Sequence, residues 1–251
     1  MISKISGFVI IEVLVVVAIM GILSSVVLGN VRSAREKAEI AMGKAFDSHI
    51  YRVIGLSLLS KWSLENGAAG DEAEGGNGGE IIGGVTEVAG ITSNALQFNG
   101  TNGLVQSPSS FFDTTPTEFT VSLWAKPSVI PPSENAVLFY STRNVEFMVG
   151  YSTEGKFFVS YKLDPTGWEG VTAGSKSSPG KWYHLVASWS SGKVVLYVNG
   201  LVAGTIIPTG NVFATTPSGY LAFAAFVRPT GTTNYFKGIL DGISLYIETI
   251  H

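Results

Sequence analysis

The chain has 251 residues, a formal net charge of −3 and no cysteine. A near-neutral charge gives no electrostatic basis for binding nucleic acid, so a nucleic-acid partner is not expected. The absence of cysteine excludes disulfides and thiolate-bound zinc, and the three histidines lie far apart in the sequence. An apolar N-terminal segment precedes a longer body rich in Gly, Ser, Thr and aromatic residues. We therefore expect an anchor followed by a soluble body.

The first predicted element is an apolar segment over residues 8 to 28, in which Glu12 is the only charged residue. A helix of this length can cross the hydrocarbon core of a bilayer, which is about 30 Å thick. A secretory signal has a shorter apolar run, so ordinary cleavage behind this segment is not expected. An ionisable side chain within a membrane span is energetically costly and usually has a function.

Three residues around the start of this segment, Gly7, Phe8 and Glu12, resemble the class III signal of type IV pilins and pseudopilins. The resemblance implies that a prepilin peptidase removes a leader of residues 1 to 7 and that Phe8 becomes the N-methylated first residue. Glu12 would then meet the N-terminus of a neighbouring pilin subunit, and this pair would set the register between subunits. The alternative is a plain single-span anchor with Glu12 near its end.

Helix-forming residues continue beyond the apolar segment, with apolar positions spaced close to 3.6 residues and no proline before Pro108. This pattern predicts one helix from Phe8 to about Leu59, within an N-terminal helical region of residues 8 to 60. We expect its first half to lie in a membrane or a filament, and its second half to pack on a globular head.

Beyond residue 60, short apolar runs are separated by Gly, Pro, Asn and Ser, a pattern typical of antiparallel β-sandwiches. The runs predict strands at residues 95–98, 119–127, 136–141, 147–152, 156–162, 181–190, 193–200, 220–226 and 238–247. The predicted fold class is therefore α+β, with a long N-terminal α-helix followed by an all-β antiparallel sandwich.

The order of five phrases in the body resembles a laminin-G-like, concanavalin A-like jelly-roll domain. The phrases are SKWSLENGAAGDEAEGGNGG, NALQFNGTNGLVQSP, EFTVSLWAKPS, GKWYHLVASWSSGKVVLYVNGLVAGT and FKGILDGISLYI. The resemblance covers residues 61 to 251 and implies that this whole region is one jelly-roll head.

Members of this superfamily often hold a structural Ca²⁺, and the resemblance places the matching positions at Asn99, Gly100 and Asp241. Calcium prefers six to eight oxygen ligands, several of them carboxylates. Asn99 and Gly242 stand where the family usually has acidic residues, which lowers the charge of such a site. The alternative is that these residues cap turns. No other cofactor is implied.

Carbohydrate binding is the commonest use of this family, and it needs aromatic faces surrounded by polar side chains. Trp168 is the predicted ligand contact, because it lies in a segment read as a loop, KLDPTGWEG, with Asp164, Glu169 and Tyr151 nearby in sequence. The alternative for Trp168 is simple packing. The other tryptophans of the predicted strands, Trp124, Trp182 and Trp189, are expected in the core.

An enzymatic activity is not expected. Glycoside hydrolases need two carboxylates that flank the scissile bond, and the E-x-D-x-x-E strand pattern of sandwich-fold hydrolases is absent. His184 has no serine or cysteine nucleophile motif beside it and is interpreted as structural.

Together the two resemblances imply a minor pilin or pseudopilin of a type IV pilus or a type II secretion-like filament. Such a subunit starts in the inner membrane and moves into an extracellular filament or a periplasmic pseudopilus. Its implied partners are the prepilin peptidase, other pilin subunits and a glycan or surface protein bound by the head. Two alternatives remain open: an architectural, filament-priming subunit without a ligand, and a membrane-anchored lectin-like protein that does not assemble.

Overall fold

The computed structural model describes residues 10–73, 76–107, 116–142, 144–164, 166–190, 192–210, 213 and 219–250. Gly7 and Phe8 lie outside the described residues. Helix α1 spans Ile10–Ile54 and ends in a 3₁₀ turn, Gly55–Ser57. All residues from 10 to 35 are exposed, and the helix is long and apolar enough, by length and composition, to cross a membrane.

The predicted end of the helix at about Leu59 was too late. Residues Leu58–Trp62 form strand β1, which pairs antiparallel with the last strand of the fold. The Trp62 side chain is fully buried in the core. The chain therefore joins the sheet from Leu58 onward.

The strands pair antiparallel throughout the described part of the chain. After β1, the strands are β2 (Glu80–Ile82), β3 (Val85–Ala89), β4 (Asn94–Asn99), β5 (Leu104–Ser107), β6 (Glu118–Pro127), β7 (Ala136–Ser141), β8 (Phe147–Tyr151), β9 (Phe157–Leu163), β10 (Gly167–Thr172), β11 (Tyr183–Ser190), β12 (Lys193–Val198), β13 (Leu201–Ile206), β14 (Leu221–Phe223), β15 (Phe226–Arg228), β16 (Gly231–Thr233) and β17 (Lys237–Tyr246). Two sheets form a sandwich. The strand order of one sheet is β13-β12-β11-β6-β17-β4-β3, in which β1 also pairs with β17, and that of the other is β10-β9-β8-β7-β14-β5-β2. Strands β15 and β16 form a separate hairpin.

The α+β class and the antiparallel sandwich are thus confirmed, and most predicted strands agree within one or two residues. Two differences bear on the site. The predicted strand at 220–226 is divided into β14 and β15 around Ala224, which has a φ of 67°. Residues 167–170, read from the sequence as the end of the loop KLDPTGWEG, belong to the edge strand β10.

An aromatic-rich core fills the space between the two sheets. Trp62 meets Phe223 edge to face with 5.0 Å between ring centroids, and Phe119 stacks on Trp189. Trp124 and Trp182 are also buried, in a separate cluster that Ile40 of α1 packs against, so all three tryptophans of the predicted strands lie inside the protein.

The second half of α1 packs on the outer face of the β13-to-β3 sheet. Ile50 and Ile54 are buried against Val186, Val195 and Tyr197. Side chains alternate between the two faces of a strand. Strand β11 therefore places one set of side chains in the core and the other set beneath the helix, and all but its last residue are buried.

Candidate ligand-binding groove

A groove of about 420 Å³ lies on the outer face of the β10-to-β2 sheet, opposite the face that borders the core. Strand β9 forms much of its floor. Phe157 and Tyr161 point into the core, whereas the alternate residues Phe158 and Ser160 line the groove. The β15–β16 hairpin borders the groove and contributes Phe226.

Trp168 forms one wall of the groove and is 39% exposed. It lies on the edge strand β10, directly opposite Lys162 of β9. Its ring meets the Phe226 ring edge to face, with centroids 6.5 Å apart. The amide side chains of Asn135 and Asn234 supply polar groups to the lining. The result is a partly exposed aromatic wall with polar side chains around it.

A charged cluster adjoins the two aromatic residues. The Glu146 carboxylate is almost fully buried, and it accepts a hydrogen bond from the Tyr140 hydroxyl at 3.1 Å. Its two oxygens lie 3.4 Å from Lys162 Nζ and 3.7 Å from Arg228 Nη2. Arg228 Cζ also lies 4.3 Å from the centroid of the Phe226 ring, a cation–π arrangement. Burial, followed by the nearby Glu146 charge, raises the pKa of the Tyr140 hydroxyl.

Of the four residues proposed from sequence as ligand contacts, Trp168 alone is among those lining this groove. Tyr151 is fully buried and donates a hydrogen bond to the carbonyl of Ser177 at 2.7 Å. Burial raises the pKa of its hydroxyl to about 12. The structure therefore does not place Tyr151 on a ligand-accessible surface.

Glu169 and Asp164 are also outside the groove. Glu169 follows Trp168 on β10, so its side chain points to the other face of the strand. There it accepts hydrogen bonds from the Thr209 amide and hydroxyl and from the Thr166 hydroxyl, and these bonds lower the pKa of the carboxylate. Asp164 is exposed at the end of β9. Nearness in sequence does not bring Glu169 into the groove with Trp168, because consecutive strand residues face opposite ways.

The three positions matched to calcium do not come together. Asn99 Oδ1 accepts hydrogen bonds from the amides of Thr101, Asn102 and Gly103 at 2.9, 3.1 and 3.0 Å, and it thereby caps a turn. Asn99 pairs with Lys237 of β17, whereas Asp241 lies four residues further along that strand, about 13 Å away.

Asp241 has a partner of its own, because its Oδ2 accepts a hydrogen bond from the Ile91 amide at 2.7 Å. Within the described residues, no group of three or more His, Cys, Asp or Glu side chains is placed to hold a metal ion. Gly100, with a φ of 78°, belongs to the turn that Asn99 caps. The arrangement fits the turn-capping alternative and does not fit a calcium site.

His184 is fully buried beneath α1. Its Nε2 atom lies 2.8 Å from Ser122 Oγ and 3.3 Å from Asp47 Oδ1 of the helix. A catalytic relay needs the histidine to meet its nucleophile and its carboxylate through two different ring nitrogens. Here both partners meet the same nitrogen, so the trio is a helix-to-sheet contact.

Sequence reasoning did not identify Phe226, Arg228, Glu146 and Tyr140. Each lies in or beside a predicted strand and carries no motif. They meet because β14 and β15 return the chain beside β7, where Phe226 contacts Tyr140 with ring centroids 4.5 Å apart.

Comparison with solved structures identifies folds of the same kind. Domain 4 of AbnA, a GH43 extracellular arabinanase from Geobacillus stearothermophilus, in complex with arabinotriose, is 20% identical, with a TM-score of 0.63 over 78% of this chain and 94% of that one. The binding domain of Paraclostridial Mosquitocidal Protein 1 is 17% identical, with a TM-score of 0.64 over 78% and 50% of the two chains. The binding domain of botulinum neurotoxin serotype C1 is 13% identical, with a TM-score of 0.60 over 79% and 50%. This chain therefore spans about half the length of the two toxin domains.

At these identities the likeness concerns the fold. No curated protein matches the chain by sequence. Residues 99–250, more than half of the chain, match the protein family described as the concanavalin A-like lectin/glucanases superfamily. Because the match covers more than half of the chain, this chain belongs to that superfamily.

Proposed function

We propose that the head binds carbohydrate in the groove on the outer face of the β10-to-β2 sheet. The observation that carries this proposal is the half-exposed Trp168, whose ring stands beside Phe226 above the floor of β9. Sugar rings pack their apolar faces on such aromatic surfaces, and hydroxyl and amide groups around them fix the orientation. Asn135, Ser160 and Asn234 supply those polar groups. The arabinotriose complex of AbnA domain 4 is consistent with this use of the fold.

The helix has a separate proposed role, that of a type IV pilin-like or pseudopilin-like assembly element. Every residue of α1 from 10 to 35 is exposed and is left uncovered by the head. Glu12 is the one charged residue among the apolar residues at the start of α1. These features support a subunit that begins in the membrane and is then transferred into a filament or pseudopilus, where neighbouring helices cover the apolar surface and Glu12 meets a processed N-terminus.

Binding by the head is tested with Trp168→Ala in the full chain, purified in detergent. Truncating a central aromatic contact typically costs about 2 kcal/mol or more, which is a loss of about 30-fold in affinity. A glycan array first identifies oligosaccharides that the wild type binds. Calorimetry with these oligosaccharides then compares the affinity of Trp168→Ala with that of the wild type, and we expect the variant to show this loss. Leu201→Ala is the matched control, because Leu201 is exposed on β13 in the other sheet. Equal changes in affinity for the two variants would contradict the assignment of the groove as the carbohydrate-binding site.

Assembly is tested by expressing the protein with a prepilin peptidase, measuring its intact mass and N-terminal sequence, and assaying its presence in isolated filaments. We expect a mature chain that begins at methylated Phe8, no cleavage in Gly7→Ala, and normal cleavage but no filament incorporation in Glu12→Ala. A wild-type chain that remains uncut would instead indicate a permanently anchored lectin-like protein. A processed, filament-incorporated protein whose head binds no glycan would support the architectural alternative.

A further inference from the structure

The charged cluster beside the groove is unequally exposed. Lys162 and Arg228 have 37% and 46% of their side-chain surface exposed, whereas the Glu146 carboxylate between them has 4%. The cations therefore reach solvent, and the carboxylate lies beneath them. The surface that a ligand meets at this end of the groove is positive.

The charges within the cluster do not cancel. Two cations share one carboxylate, which leaves a net charge of about +1 at neutral pH. The distances of 3.4 and 3.7 Å describe ion pairs that leave N–H groups of both cations available. Among the described residues, neither Lys162 nor Arg228 donates a side-chain hydrogen bond or pairs with any other carboxylate. Asp164, the next acidic residue along β9, forms no ion pair with them either.

Each cation lies beside one of the two groove aromatics. Lys162 is the cross-strand partner of Trp168, and Arg228 stacks over Phe226. A sugar held against these rings would therefore have both cations next to it, at the same end of the groove. Buried Glu146 acts as a positioning residue, since it holds the two cations close together and would not itself contact the ligand. Arginine and lysine in this position favour an anionic substituent, and the planar guanidinium pairs well with a carboxylate.

We propose that the preferred ligand of the groove is an acidic glycan, in which a carboxylated sugar such as a hexuronate contacts Lys162 and Arg228 while its ring packs against Trp168 and Phe226. This inference rests on the proposed carbohydrate-binding function and specifies its ligand class. Its basis is the net positive charge of the cluster beside the aromatic wall.

The test uses matched trisaccharide pairs that differ only in oxidation at C6: galactose and galacturonate, glucose and glucuronate, mannose and mannuronate. Binding to the full chain in detergent is measured by calorimetry at low and at physiological salt. We expect the acidic member of at least one pair to bind about tenfold more tightly than its neutral partner, and we expect salt to reduce this ratio. Arg228→Gln and Lys162→Gln should each bring the ratio close to one. Lys193→Gln, on β12 of the other sheet, is the control that should preserve it.

The outcomes separate the two proposals. Equal affinity for the acidic and neutral members would overturn the acidic-glycan inference and leave carbohydrate binding intact. No binding of any probe by the wild type would overturn both. Arg228→Gln could detach the β15–β16 hairpin, which a lower melting temperature would reveal. In that case the affinity ratio of Lys162→Gln tests the inference, because Lys162 lies in β9 of the sheet itself. A ratio that stays high in both variants would contradict the assignment of the cluster.

Discussion

Gly43 of α1 lies directly against Trp124 of β6, in the layer where the helix meets the sheet. A Cβ atom at position 43 would lie 2.5 Å from Trp124 Cη2 and 2.8 Å from His184 Cβ. No side chain larger than hydrogen fits there without movement of the indole ring or the helix. This contact brings the helix close enough to the sheet for Asp47 to reach His184.

Gly43→Ala should therefore destabilise the protein although alanine is the better helix former. Overpacking costs about 1–3 kcal/mol, and the gain in helix propensity is about 1 kcal/mol. We expect a net loss of up to about 2 kcal/mol, measured by thermal unfolding of the full chain in detergent. Gly29→Ala is the matched control, because a Cβ at position 29 meets nothing within 4 Å. A stabilised Gly43→Ala protein would mean that the helix does not dock as described.

Ile50 provides a second measure of helix docking, from the loss of contact rather than from crowding. It is fully buried against the outer face of the sheet. Ile50→Ala should cost about 2–5 kcal/mol of unfolding free energy, because it removes apolar contacts and leaves a cavity. Val53→Ala, three residues further along the same helix, changes an exposed side chain and should cost much less. Similar losses for the two variants would show that the helix is not packed on this face.

Gly150→Ala should narrow the groove. A Cβ at this position in β8 would overlap the Phe158 ring, which forms part of the groove floor, and would lie 2.8 Å from the carbonyl oxygen of Ala136. The Phe158 ring is the group nearest to the added Cβ, so we expect it to move into the space for ligand. We expect oligosaccharide affinity to fall about tenfold or more, with overpacking costing about 1–3 kcal/mol of stability. Gly192→Ala, in the β11–β12 turn where the space is open, should leave affinity unchanged.

Asp241 should make stability depend on pH. Burial, the largest cause, raises the pKa of its carboxyl from 3.8 to about 6, and the hydrogen bond from the Ile91 amide opposes this shift. The folded state therefore binds this proton more tightly than the unfolded state. The contribution is fully present below pH 3.8 and is lost as pH rises through 6, a change of at most about 3 kcal/mol.

Asp241→Asn removes this titration. Its stability relative to wild type should rise by up to about 3 kcal/mol between pH 4 and pH 7, measured by urea unfolding at each pH. Asp164→Asn, at an exposed position, is the control and should differ from wild type by less than about 0.5 kcal/mol at both pH values. A pH-independent difference for Asp241→Asn would contradict the assignment of a buried carboxyl at this position.

The helix, the strands and the class of fold were predictable from sequence because they follow from local periodicity. A continuous apolar segment followed by apolar positions at 3.6-residue spacing predicted α1. Short apolar and alternating runs between turn residues predicted most strands of the sandwich. The prediction erred where tertiary contacts override local preference. Residues 58 and 59 belong to β1 rather than α1, because pairing with β17 and burial of Trp62 outweigh the helical pattern.

The site depended on the tertiary structure to a greater extent. Sequence alone selected Trp168 as a partly exposed aromatic residue, and the structure places it in the groove wall. The sequence alone did not show that Trp168 lines the groove whereas Glu169 and Tyr151 do not. Side chains alternate between the two faces of a strand, but this alternation does not reveal which face is covered by the rest of the protein. The proximity of Glu146 and Arg228 was not predictable from the sequence either, because these residues meet only where β14 and β15 fold back beside β7. Local patterns therefore determined the elements of this protein, whereas the packing of distant strands decided which side chains share a surface.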